Sequence, residues 1–272
     1  MKGRTIVITS GKGGVGKTTA TANIGTGLAM RGQRVVVIDT DIGLRNLDVV
    51  MGLENRIVYD LVNLIEGECK LHQALIRDKS QHELYLIPAA QTRDKNSIDP
   101  DQLRELCAQL EEEFDYVLMD CPAGIEQGFK NAVTAAKEAI IVTTPEVSAI
   151  RDADRVIGLL ESAELQRPKL IINRINPDMV KRGDMMDQRD VVSLLAVDVL
   201  GLVPADEKTI TAANKGVPVV HDKKAAAGAA FLRIAARVDG DEVPLMEIES
   251  KSGLLAKFKG LVGINGSAYS HA

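Results

Sequence analysis

Nine consecutive residues, Gly11-Lys12-Gly13-Gly14-Val15-Gly16-Lys17-Thr18-Thr19, have the composition needed to hold a string of phosphates. Glycines 11, 13, 14 and 16 let the backbone curl so that several N–H groups point inward, where side chains would block the approach. The spacing fits GxxxxGK[ST]. An apolar strand-like run, Thr5 to Thr9, precedes it and a helical pattern, Thr18 to Met30, follows. A helix so placed turns its positive end toward the same phosphates. In that context Lys17 pairs with β- and γ-phosphates, and the Thr18 hydroxyl ligates Mg²⁺. The nine residues therefore predict a nucleoside triphosphate site.

Lys12 is not demanded by this pattern. It reads either as an added positive charge at the edge of the phosphate site or as a solvated surface lysine. Two apolar runs end in carboxylates: Arg34 to Ile38 leads into Asp39-Thr40-Asp41, and Tyr116 to Met119 leads into Asp120-Cys121-Pro122-Ala123-Gly124. Carboxylates at the carboxyl ends of parallel strands face the crevice where open α/β sheets bind ligands. Asp120 then suits the second Mg²⁺ shell, and Asp39 or Asp41 can orient an attacking water. The alternative for Asp39 and Asp41 is to cap a helix or turn.

The elements that must position these groups are legible as strand-like runs at about 4–9, 34–39, 84–88, 115–120, 138–143, 169–173 and 199–203. Several are continuously apolar, as strands covered on both faces are. Helical patterns lie between them, clearest at 18–31, 101–113, 127–137, 151–164 and 222–237. The alternation predicts an α/β fold, a doubly wound and mostly parallel sheet with helices on both faces. The charged segment Arg182 to Asp190 reads as a surface loop.

Lys12 to Thr18 resembles the deviant Walker A motif of the ParA/MinD group of P-loop ATPases. The resemblance extends to Asp41-Ile42-Gly43-Leu44-Arg45-Asn46-Leu47-Asp48, Asp120 to Glu126, and Pro145 to Arg155, and it runs from about residue 4 to about residue 262. Within the group these motifs are most like the division-site-selecting branch. The resemblance implies ATP and Mg²⁺ as cofactors and an ATP-dependent homodimer in which Lys12 reaches the phosphates held by the other subunit. It implies that Asp41 orients or activates the attacking water and that Thr18, Asp39 and Asp120 organise Mg²⁺. Asn173 resembles the adenine-contacting position, although it could equally cap a helix or turn. Arg45, Asn46, Asp152 and Asp154 resemble positions on a partner surface. The implied partners are a MinC-type septation inhibitor, a MinE-type regulator or polar anchor, and an anionic membrane. A ParA-type ATPase that partitions DNA or other cargo is the alternative.

The 272 residues suit one α/β domain, 1–250, and the 45% apolar and 26% charged content is that of a globular chain. No apolar run approaches the roughly 20 residues that span a bilayer. With the phosphate loop beginning at residue 11, no signal peptide is expected, which places the chain in the cytoplasm and, by resemblance, on the inner face of the cell membrane. Cysteines 69, 107 and 121 are too scattered for a disulfide framework, a zinc site or a cluster held between subunits.

After residue 250 the composition changes. On a helix over 251–262, Leu254, Leu255, Phe258, Leu261 and Val262 share about a third of the circumference, flanked by Lys257 and Lys259. The segment carries +3 and residues 1–250 carry −8. Such a helix suits a membrane interface, or it docks on its own domain. Each large apolar side chain offers about 1.5–3 kcal/mol on full burial. Ordering each residue costs about 1–2 kcal/mol, so one tail holds weakly and the two tails of a dimer far better. An acidic body with its basic excess confined to an apolar tail argues against nucleic acid as the partner. Residues 263–272, with Gly263, Gly266, Ser267 and Ser270, read as a flexible polar end.

Overall fold

A computed structural model describes residues 2–93, 98–165 and 167–245. The amphipathic stripe and the polar end that follows it lie outside the described residues.

The chain alternates strand and helix. β1 (Arg4–Thr9) leads into α1 (Lys17–Met30), and β2 (Val35–Asp39) into α2 (Leu47–Met51) and α3 (Leu61–Ile65). After α4 (Leu71–Ala74), β3 (Ile76–Arg77) and β4 (Leu84–Ile87) come α5 (Pro100–Glu113), β5 (Tyr116–Asp120) and α6 (Gln127–Ala135). β6 (Glu138–Thr143) precedes α7 (Val147–Ser162). β7 (Lys169–Ile175) precedes α8 (Pro177–Arg182) and α9 (Gln188–Leu195). β8 (Val199–Pro204), α10 (Glu207–Asn214) and α11 (Ala226–Val238) follow, with single 3-10 turns at Glu54–Arg56 and Val219–His221.

The strands form one sheet in the order β3-β4-β2-β5-β1-β6-β7-β8. Every pairing is parallel except that of β3 with β4. The chain leaves β1 toward β2 on one side and leaves β6 toward β7 on the other. Their carboxyl ends therefore flank the crevice of a doubly wound sheet. Register puts Asp39 of β2 directly opposite Asp120 of β5.

Alternate strand residues feed two cores. Val7, Val36, Val117 and Ile141 pack under α5, α6 and α7 with Leu110, Phe129 and Leu160. Ile8, Val37, Leu118 and Val142 pack under α1 and α11 with Ile24, Leu28, Phe231 and Ile234. Burial on both faces is why these strands read as continuous apolar runs. Helix α1 is buried from Ala20 to Ala29, with small or apolar residues on every side. At Gly27 a Cβ would stand 2.8 Å from the Cβ of Ala235, so the absence of a side chain sets how closely α1 approaches α11.

All seven strand readings hold, and β3 is an addition at the sheet edge. Of the helices, α7 begins four residues earlier than its periodicity suggested. α11 begins later, at Ala226, where Asp206 accepts the Ala227 N–H at 3.1 Å. The reading of Arg182 to Asp190 as loop holds over 183–187 and is corrected at both ends. Arg182 ends α8, whose cap is Asn176 ahead of Pro177, and Gln188 to Asp190 open α9 through a capping box between Asp187 and Asp190. These caps determine where short helices start and stop despite their weak apolar patterns.

Candidate functional site

The loop between β1 and α1 is shaped by residues from three other strands' ends. Gly14 and Gly16 have φ of 79° and 98°, which glycine alone adopts without strain. Gly16 is also pressed by Asn173, whose Nδ2 would lie 2.3 Å from a Cβ there. From the end of β7, Asn173 donates Nδ2–H to the Val15 carbonyl at 2.8 Å and accepts the Arg174 N–H at 2.9 Å, stapling the loop. The Ser10 carbonyl accepts from Gly124 N at 3.2 Å, and the backbone of Asp152 on α7 packs against Gly11.

Beneath the loop, Lys17 and Asp120 form a pair with only 7% and 1% of their side chains exposed, Nζ to Oδ1 at 2.8 Å. Thr18 Oγ1 donates to Asp120 Oδ2 at 2.6 Å, and Thr21 Oγ1 lies 3.2 Å from Asp120 Oδ1. Thr40 Oγ1 bonds the Asp120 carbonyl at 2.8 Å. Sequence reasoning missed Thr21 and Thr40; the signal for Thr21 was its place one turn beyond Lys17 on α1. Burial lowers the Lys17 ammonium's proton affinity, but the charge and hydrogen bond of Asp120 outweigh it, and its pKa rises above the ordinary value.

Asp39 is fully buried. It accepts Asp41 N–H on Oδ1 at 2.9 Å, and Asn46 and Leu47 N–H on Oδ2 at 3.1 Å each, closing the loop before α2. Burial first, then the charge of Asp120, pushes its carboxyl up to about 7. Of the two readings open for this residue, the geometry shows the cap, set at the carboxyl end of β2 opposite Asp120. Asp41 lines a cleft of about 110 Å³ between the loops after β2 and β5.

The oxygen donors Thr18, Asp39 and Asp120 match the hard-ligand preference of Mg²⁺, which takes one or two carboxylates and completes its shell with phosphates and water. Among the described residues no group of three or more His, Cys, Asp or Glu side chains is placed to hold a metal unaided. Cys121, behind Asp120, is buried, and its thiol is pushed up to about 12, which keeps it protonated.

Lys12 stands at the rim with 43% of its side chain exposed; its ammonium donates to Ser148 Oγ at 3.0 Å and lies 3.9 Å from Glu146. Asp152 is half-buried and Asp154 exposed on α7, beside a groove of about 230 Å³ where Val147 and Leu194 are exposed. Arg45 is placed differently from the other residues of the implied partner surface: it turns inward, Nε 2.9 Å from the buried Asp48.

A phosphate-cradling loop at the crevice of an open parallel sheet makes this chain, by class, a P-loop nucleoside triphosphatase fold. Residues 3–172 match the family described as AAA domain. The chain is 56% identical over 265 residues to the septum site-determining protein MinD of Bacillus subtilis (strain 168), spanning 96% of this chain and 99% of that one. It belongs to the MinD family of septum-site-determining proteins. Similar solved structures include one with a partner and one with a nucleotide. The MinC:MinD cell division protein complex of Aquifex aeolicus contains a chain 47% identical at a TM-score of 0.85, covering 91% of this chain and 100% of that one. MinD of Pyrococcus horikoshii complexed with Mg-ADP is 30% identical at a TM-score of 0.80, covering 87% and 96%.

Proposed function

We propose that this chain hydrolyses ATP with Mg²⁺, dimerises in the ATP state, and uses that dimer to present its C-terminal tails to an anionic membrane and a surface to a MinC-type septation inhibitor. The observation that carries the reading is the gathering of Lys17, Thr18 and Asp120 into one bonded cluster under the glycine loop, with Lys12 extended at the rim.

The residues divide the work. The loop N–H groups from Gly13 to Thr19 hold the triphosphate, and Lys17 leaves Asp120 to neutralise its β- and γ-oxygens. Thr18, Asp120 and Asp39 would hold Mg²⁺, which supplies charge neutralisation across the phosphates when bound. Asp41, beside its cleft, orients the attacking water. Asn173, by resemblance, contacts the adenine. Lys12 leaves Ser148 and reaches phosphates in the other subunit, so loss of the γ-phosphate removes part of what holds the dimer. Asp152 and Asp154, with the groove on α7, form the partner surface, and Arg45 joins it by leaving Asp48. The MinC:MinD relative supports the inhibitor as partner, and a MinE-type protein or polar anchor would set where hydrolysis occurs.

The test is sedimentation with anionic vesicles in ATP and in ADP, comparing the full chain with one ending at Glu249. Binding that requires ATP and the tail supports the dimer-gated switch. Equal binding in both nucleotides refutes it. A salt-sensitive shift of duplex DNA in ATP without vesicle binding would replace it with the ParA-type reading.

A further inference from the structure

The side chain of Asp120 is 1% exposed, and side chains rather than water supply its donors. Oδ1 receives Lys17 Nζ at 2.8 Å and Thr21 Oγ1 at 3.2 Å, and Oδ2 receives Thr18 Oγ1 at 2.6 Å. In the function proposed here, Lys17 turns to the phosphates and Thr18 to Mg²⁺. A carboxylate at this depth has no bulk water to replace them, and a buried charge short of donors is costly.

Thr21 is the donor that stays. It is fully buried one turn beyond Lys17 on α1, and it is no part of the glycine loop. Its hydroxyl has a single proton and stands between two acceptors, the Lys17 carbonyl at 3.1 Å and Asp120 Oδ1 at 3.2 Å. A bond to the carbonyl four residues back is ordinary for a helical threonine. Thr26, on the same helix, makes that bond to the Ala22 carbonyl alone, at 2.7 Å. The longer distance at Thr21 is that of a shared proton. The Lys17 carbonyl can give up its share, since the helical N–H of Thr21 still reaches it. The backbone of Asp120 is held independently, its carbonyl accepting Thr40 N–H at 3.0 Å and Thr40 Oγ1 at 2.8 Å. What is left to restrain is the rotation of the carboxylate, which has Asp39 opposite it in the ladder.

We infer, on the reading that Lys17 and Thr18 leave Asp120 for nucleotide and Mg²⁺, that Thr21 is a positioning residue for the metal site. Its proton then goes wholly to Asp120 Oδ1 and keeps the carboxylate aimed across the crevice. Thr21 touches neither phosphate nor metal and acts through Asp120.

The test is calorimetric titration of the full chain with ADP, in excess Mg²⁺ and in EDTA, the readout being the ratio of the two affinities. Thr21→Val keeps the branched shape and removes the proton, and Thr21→Ser keeps the proton. Thr26→Val removes a hydroxyl from the same helix that bonds only the backbone. If Thr21→Val does not fold, Thr21→Ala takes its place. The expected result is that Thr21→Val matches the parent in EDTA within about twofold and loses about fivefold or more of the gain that Mg²⁺ confers. Thr21→Ser and Thr26→Val keep that gain. An undiminished gain in Thr21→Val overturns the inference, and so does an equal loss with and without Mg²⁺, or a serine variant as impaired as the valine one. A parent that binds ADP no better with Mg²⁺ than in EDTA overturns the reading of the metal site itself, and this role of Thr21 with it.

Discussion

Asp39 and Asp120 face each other across one rung of the β2–β5 ladder, with Lys17 as the adjacent cation. The raised carboxyl of Asp39 has a consequence in the absence of nucleotide. Between its ordinary value of 3.8 and about 7 the folded chain holds a proton that the unfolded chain has released. Stability from this group is therefore complete below the lower value and lost as pH climbs through the upper one. Asp39→Asn removes the ionisation. Urea unfolding of the nucleotide-free variant will show a smaller fall in stability between about pH 5 and about pH 8 than the parent does. An identical fall would mean that Asp39 ionises normally. Gly16→Ala belongs to the same scale. The φ of 98° and the Asn173 amide leave no room for a methyl, so the variant should lose about 1–3 kcal/mol of stability and most nucleotide affinity, measured by urea unfolding and by calorimetric titration of ADP. Lys17, Thr18 and Asp120 could be picked out in the sequence because a glycine loop and a strand terminus mark them. Thr21 is marked only by its place one turn beyond Lys17, and Thr40, which bonds the backbone carbonyl of Asp120, carries no mark at all. Arg45 has its partner-surface expectation from the resemblance alone; a buried Asp48 three residues on draws it in.

At the scale of elements, the long helices and the strands follow from apolar periodicity, and the short helices do not. Helix α3 has five residues and is held by Asp60, which accepts Val62 and Asn63 N–H while Asn63 bonds back. Five residues give too little pattern to distinguish helix from loop, and the cap carries the information instead. β3 has two residues and is defined only by its antiparallel partner, Ile76 opposite Leu86, a contact invisible to local sequence. The packing of α1 on α11 is open to direct test. Gly27→Val drives branched methyls into Ala235, and overpacking of this kind costs about 1–3 kcal/mol, readable as a lower urea midpoint with an unchanged slope. A stabilised variant would show that the two helices are not in the close contact described.

For the molecule as a whole, charge divides the sequence in two, −8 over residues 1–250 and +3 beyond them. Among the described residues no helix is long and apolar enough to cross a membrane. An acidic body is repelled by an anionic surface at low salt, so the proposed membrane binding requires a tail attraction that exceeds this repulsion, and added salt screens both. If the apolar stripe supplies most of that attraction, vesicle binding in ATP should fall only modestly between about 0.05 M and about 0.3 M salt. A collapse of binding over that range would assign the attraction to charge alone.

Helix α1 has no side that faces water between Ala20 and Ala29, and this determines how the molecule opens. Most helices expose one flank and can detach in fluctuations much smaller than full unfolding. This one cannot leave its place without exposing the sheet, α11 and itself together. The amide hydrogens from Ile24 to Leu28 should therefore exchange with solvent deuterium only when the whole chain unfolds, later than those of α8 or α10, neither of which contains a buried residue. The lifetime of the platform beneath the phosphates is then the lifetime of the native state itself.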